Sequence, residues 1–263
     1  MLRKIKEVFM ESYSKYMLFS IKVSLTIMLA VIMIGLLRLT DNYLKWAFFE
    51  AAGLQTSMVF MLLIAVLIMF KSVRDYFSQH FVKIRKMRLV KVIGISIILG
   101  IGLQFLISFV ANGINVFNPN LIKPGSNQYV SDGNLSTEGE LVIAGLLGPF
   151  NEEVIYRLFM YVYFFSLLNA CKNKFVAFNK FYDGSEEKER YFKILWLIMS
   201  NVIFTMIHGA DITNFWIYFI PGIIYGALFM KYGFLAAWIG HSAFNVSSNS
   251  VGEIMVYLFG LYK

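Results

Sequence analysis

The sequence predicts an all-α fold: a polytopic integral membrane bundle of about eight transmembrane helices, or seven if residues 251–262 lie along the interface. Three observations predict it. The first is composition. Of 263 residues, 58% are hydrophobic and 15% charged, with a mean hydropathy of +0.64. Soluble domains hold roughly 45–50% apolar and about 25% charged residues. One buried core cannot absorb that excess, so much of the apolar surface faces lipid. The second is the recurrence of apolar windows of about 20 residues, the length that crosses a hydrocarbon core of roughly 30 Å. The third is how the charges are distributed along the chain.

In chain order the windows fall at 16–37, 47–70, 89–111, 141–169, 193–208, 214–230, 233–249 and 251–262. With the N-terminus inside, the segments between them alternate in charge. Of the 24 Lys and Arg residues, 19 lie on the inner side and 3 on the outer, while Lys22 and Arg157 lie within spans. This is the positive-inside pattern. It predicts a plasma-membrane protein with both termini cytoplasmic, and it explains the net charge of +8 by an anionic leaflet, leaving no nucleic-acid partner to invoke. The first window follows a basic N-terminus. It is too long for a signal-peptide core and no small-residue cleavage site follows, so it reads as a retained anchor. Residues 71–91 and 171–193 read as basic cytoplasmic loops, the first holding His80 and the second Glu186, Glu187 and Glu189. Residues 112–138 read as an irregular external loop. A single cysteine, Cys171, excludes a disulfide scaffold and thiolate zinc sites. One continuous membrane domain is expected, with helices and an external loop over 1–140 and a polar-residue core over 141–263.

That core holds residues that lipid disfavours. Each Arg, Lys or Asp near a helix centre costs about 2.5–3.5 kcal/mol to insert, so buried charges pair or line a water-filled cavity. Glu152, Glu153 and Arg157 lie within six residues of one window. Glu153 and Arg157 are four apart and share a helix face, which predicts an ion pair. Glu152 is rotated by about 100° from Glu153, so it points elsewhere and stays free for chemistry. Gly145, Gly148 and Pro149 suggest a regular helix starting near Phe150, with Glu152 in its first turn. Phe204 and His208 are four apart in the next window, and His241 and Asn245 four apart in a later one. On the predicted topology Glu152, His208 and His241 reach one depth in the outer half of the membrane.

Taken in order, Glu152-Glu153-x-x-x-Arg157, Phe204-x-x-x-His208 and His241-x-x-x-Asn245 resemble the three motifs of the CPBP family. These are the intramembrane CAAX proteases and bacteriocin-processing or Abi proteins, related to the type II CAAX prenyl endopeptidase. The resemblance covers about 145–250. Tyr156 and Leu158 depart from the Phe and Gly often found beside the motif arginine, and no departure touches a polar position. The resemblance implies an intramembrane endopeptidase acting on a membrane-associated peptide or protein. Glu152 would activate water, His208 would hold it, and His241 with Asn245 would stabilise the oxyanion. Glu153, Arg157 and Phe204 would orient the site. The chemistry is self-consistent, because amide hydrolysis needs a base, a water and donors aimed at developing charge.

Metal stays open at this point. Glu152, His208 and His241 could supply a His₂Glu set for zinc or another divalent ion, but no HExxH segment is present, and the metal-free reading is preferred. Two other functions compete. One is a non-catalytic regulatory or immunity partner of another membrane protein. The other is a transporter, which intramembrane Glu, Arg and His would suit but which the absence of an internal repeat disfavours.

Overall fold

The structure, a computed structural model, describes residues 2–45, 53–83, 86–119, 121–123, 141–175, 182 and 185–260. Every regular element among them is helical: α1 Leu2–Leu44, α2 Gly53–Met69, α3 Lys71–Phe81, α4 Lys86–Phe117, α5 Leu141–Lys174, α6 Glu186–Ile207, α7 Phe215–Tyr232, α8 Phe234–Val246 and α9 Ser248–Phe259. The all-α membrane bundle is therefore borne out.

The count of spans differs. Among the described residues, five helical stretches are long and apolar enough to cross a membrane, in α1, α4, α5, α6 and α7. A sixth is obtained if α2 and α3, bent by 111° at Phe70, form one broken span. The windows at 233–249 and 251–262 become α8 and α9, of 13 and 12 residues. At 1.5 Å per residue each is only about 18–20 Å long, short of the membrane core.

Two segments read as loops are helical. Residues 71–81 form α3, whose exposed face carries Lys71, Arg74, Asp75 and Gln79. Its inner face packs Phe77 and Phe81 on Phe234. Arg74 donates to the carbonyls of Leu67 and Ile68, closing the end of α2. His80 is thus a half-buried helical residue stacked on Tyr76. Glu186, Glu187 and Glu189 open α6, where carboxylates complement the helix dipole. The predicted outer loop begins later than 112, because α4 runs to Phe117. Residues 124–138 of that loop and 176–181 of the inner one lie outside the described residues.

The core is aromatic and aliphatic. Phe150, Val154 and Leu158 of α5 meet Trp196 and Leu197 of α6, Tyr225 and Phe229 of α7, and Phe234 of α8. Lipid-facing α1 stays outside this cluster and packs mainly on α2. The short α8 is held deep inside by α4. A Cβ on Gly100 would collide with the Gly240 carbonyl, so only glycine permits this crossing. The approach fixes α8, and hence His241, at the centre of the bundle.

Candidate active site

The site begins with an irregular helix. α5 is continuous through Pro149, with π-helical turns over Leu141–Leu147 and Val154–Phe159 on either side of an α-helical stretch Gly148–Glu153. The expectation that a regular helix starts near Phe150 is therefore corrected: Glu152 lies well inside α5, with no free helix start beside it. A wide turn just before Pro149 relieves the clash a proline makes with the preceding turn. Such π-turns recur at functional sites. Here they flank the two glutamates.

Glu153 and Arg157 pair as their spacing predicts, Nε to Oε2 at 3.3 Å, with both side chains sealed from solvent. Arg157 also donates through Nη2 to Asn201 Oδ1 at 2.9 Å and to the Gly222 carbonyl at 3.0 Å. Its guanidinium lies 5.4 Å from the Phe204 ring centroid. One arginine thus ties α5 to α6 and α7. Asn201 is held in turn by its amide donating to Leu197 O.

His208, at the end of α6, has Nδ1 2.7 Å from Phe204 O, one turn back, and its ring lies 4.4 Å from that of Phe204. His241, buried on α8, has Nδ1 3.0 Å from Glu153 Oε1. Glu153 serves His241 as well as Arg157, one oxygen to each. Glu152 faces both imidazoles, Oε1 to His208 Nε2 at 3.7 Å and Oε2 to His241 Nε2 at 3.5 Å. Its side chain is 16% exposed, where that of Glu153 is 1%. The three polar clusters therefore meet around one half-open carboxylate. Asn245 sits one turn after His241 on α8, half-buried, and its carbonyl accepts a bond from Ser248.

The turn after His208 is stiffened by its own polar groups. Asp211 accepts from the Thr213 hydroxyl and from the amides of Thr213 and Asn214. Those bonds, the hydroxyl's first, hold its carboxyl below the usual range.

Three positions were not singled out from the sequence. Asn201 lies on the stripe Asn201, Phe204, Thr205, His208, spaced as one helix face. Gly222 and Gly226 form a Gly-x-x-x-Gly pair, a close-packing signal in membrane helices. Both signals could have found the seat of Arg157. A Cβ on Gly222 would run into Asn201 Oδ1, the atom that accepts from Arg157. Gly222→Ala is therefore expected to destabilise the protein by about 1–3 kcal/mol, read as a lower midpoint of thermal unfolding in detergent. Gly35→Ala, which adds its methyl to open space, is the control and should leave that midpoint in place.

Residues 136–247 match the family model described as type II CAAX prenyl endopeptidase Rce1-like. The likeness to that family covers fewer than half of the chain's 263 residues. All three motifs fall inside the matched segment, so the resemblance read from them is upheld there. No curated protein and no solved structure matches the chain significantly. The Rce1-like segment includes α5, α6, α7 and α8, the four helices that build the site. Among the described residues, no group of three His, Cys, Asp or Glu side chains is placed to hold a metal ion. In the His₂Glu set the sequence offers, the Glu152 oxygens stand 3.5–3.7 Å from Nε2 of His208 and of His241.

Proposed function

We propose that this protein is an intramembrane endopeptidase in which Glu152 activates the attacking water. The observation that carries the reading is the convergence of His208 Nε2 and His241 Nε2 on the two oxygens of Glu152. At 3.5–3.7 Å these are not direct hydrogen bonds. A water seated beside these atoms, within hydrogen-bond distance of each, would bridge them.

The partners of the two rings sharpen this. A carbonyl only accepts, so His208 carries its proton on Nδ1, against Phe204 O. The Glu153 carboxylate likewise puts a proton on Nδ1 of His241. In their neutral forms both rings then present a bare Nε2 towards Glu152. A water at that point would donate its two protons to Glu152 and to Nε2 of His208.

In the proposed reaction Glu152 takes one proton from that water. The hydroxide adds to the scissile carbonyl carbon, and His208 holds the nucleophile. Charge develops on the carbonyl oxygen, where the Asn245 amide would donate, joined by His241 when a proton taken up from solvent before the cycle occupies its Nε2. Glu152 passes its proton to the departing amine nitrogen as the C–N bond breaks. The substrate class suggested by the Rce1-like segment is a membrane-associated peptide or protein with a C-terminal CAAX-type segment.

The reading is tested on the purified chain in nanodiscs with a farnesylated Cys-aliphatic-aliphatic-X peptide. Mass spectrometry of the released tripeptide should show cleavage that survives excess divalent-metal chelator. Loss of cleavage with chelator, and its return on adding zinc or cobalt, would move the chemistry to a metal. In parallel, comparing the peptides of cells carrying the wild-type and Glu152→Ala chains would show whether unprenylated leader peptides are cut instead.

A further inference from the structure

α7 supplies none of the three motifs, yet it touches both histidines and the arginine of the site. Tyr218 stacks on His208, with centroids 5.0 Å apart and planes at 29°. Tyr225 stacks on His241, at 4.8 Å and 15°. Between them the Gly222 carbonyl accepts from Arg157. Positions 218, 222 and 225 follow the i, i+4, i+7 rule, so one face of one helix meets all three.

Each imidazole is thus held on two sides. An acceptor at Nδ1 fixes which nitrogen carries the proton, and a tyrosine ring fixes the plane. The two constraints act together on the aim of Nε2, because the hydrogen bond sets the rough ring orientation and the stacked ring narrows the remaining swing about the Cβ–Cγ bond. Tyr225 is buried, and its hydroxyl has no hydrogen-bond partner among the described residues. Its contribution to the site lies in the ring face.

We infer that Tyr218 and Tyr225 are positioning residues, a stacked pair on α7 that sets the planes of His208 and His241 so that both Nε2 atoms meet Glu152. This deepens the proposed function and rests on it.

The chain has three histidines, which makes a direct test practical. Protein labelled with ¹³C and ¹⁵N in histidine alone is studied in detergent micelles, with His80→Asn, His208→Asn and His241→Asn assigning the signals. Stacking predicts that His208 and His241 ring protons are moved by the tyrosine ring currents. Tyr218→Leu should reduce the first to what the Phe204 ring, 4.4 Å away, still imposes, and Tyr225→Leu should change the second, each leaving the other in place. Tyr225→Phe keeps the ring and should keep the shift. With the farnesylated peptide, the two leucine variants should lose at least tenfold in kcat at nearly constant KM, and Tyr225→Phe should stay within about threefold of wild type.

Wild-type histidine shifts in both leucine variants would overturn the inference. So would a Tyr225→Phe protein as impaired as Tyr225→Leu, since the hydroxyl would then be the working part. Glu152→Gln separates this failure from that of the parent reading. If Glu152→Gln is inactive and the leucine variants turn over normally, only the stacking inference falls. If Glu152→Gln cleaves normally, the glutamate mechanism falls with it, while the histidine shifts still report on the stacking itself.

Discussion

Glu152→Gln is expected to lower peptide turnover by about 10²–10⁴-fold, the contribution typical of a positioned general base, while the protein folds as before. The exchange keeps the size and shape of the side chain but removes its negative charge and with it the capacity to take a proton. Stability should hold because Glu152 is not part of the sealed ion pair: it is partly exposed and stands 3.5–3.7 Å from its histidine neighbours. Glu153→Gln should behave differently, leaving Arg157 buried without its countercharge. The pair of variants thus separates two adjacent carboxylates by consequence, one affecting rate and the other affecting rate and fold together. The check is a turnover assay in nanodiscs beside thermal unfolding of each variant. A Glu152→Gln protein that cleaves at the wild-type rate defeats the proposed mechanism. One that loses cleavage yet keeps its full effect in cells shifts the main role to binding a membrane partner.

What the sequence could and could not tell follows from how each feature is encoded. Pairs at i, i+4 are local, so Glu153 with Arg157 and Phe204 with His208 were legible from spacing alone and stand in the structure as neighbours. Contacts between helices are not local. That Glu153 also reaches His241, 88 positions away, depends on how α8 is seated against α4 and α5. The π-turns of α5 were invisible for a related reason: one extra residue in a turn is imposed by packing and leaves no periodic trace in so apolar a segment. Helix α3 was missed because hydropathy windows seek uniformly apolar stretches, and its polar outer face lowers the average. α8 and α9 were overcounted as spans because a window registers apolar residues without regard to where a helix stops. Tyr218 and Tyr225 carried no signal in a chain with 15 tyrosines and 26 phenylalanines. In a lipid-facing bundle most aromatics are filling, and only the stacking geometry sets these two apart.

Arg157→Ala is expected to be the most damaging single change to the fold. Arg157 and Glu153 are both fully buried, and deleting one partner of such a pair strands the other charge at a cost of about 3–5 kcal/mol. Domains are typically stable by only about 5–15 kcal/mol, so the variant should unfold at a much lower temperature or fail to accumulate. Arg157→Lys should be intermediate. It keeps the charge opposite Glu153 but lacks the planar fork that also reaches Asn201 and the Gly222 carbonyl. The informative comparison is with the double variant Glu153→Met with Arg157→Met. With neither charge left in the interior, it should recover a substantial part of the stability lost in Arg157→Ala, as buried pairs replaced by apolar side chains often do. Activity should not return with it, because Glu153 is also what holds Nδ1 of His241 at 3.0 Å. Thermal unfolding and peptide turnover of wild type, the two single variants and the double variant measure this split. Recovery of both together would reduce the buried pair to a purely structural element. Recovery of stability alone would mean that the ion pair is kept for the histidine it aims.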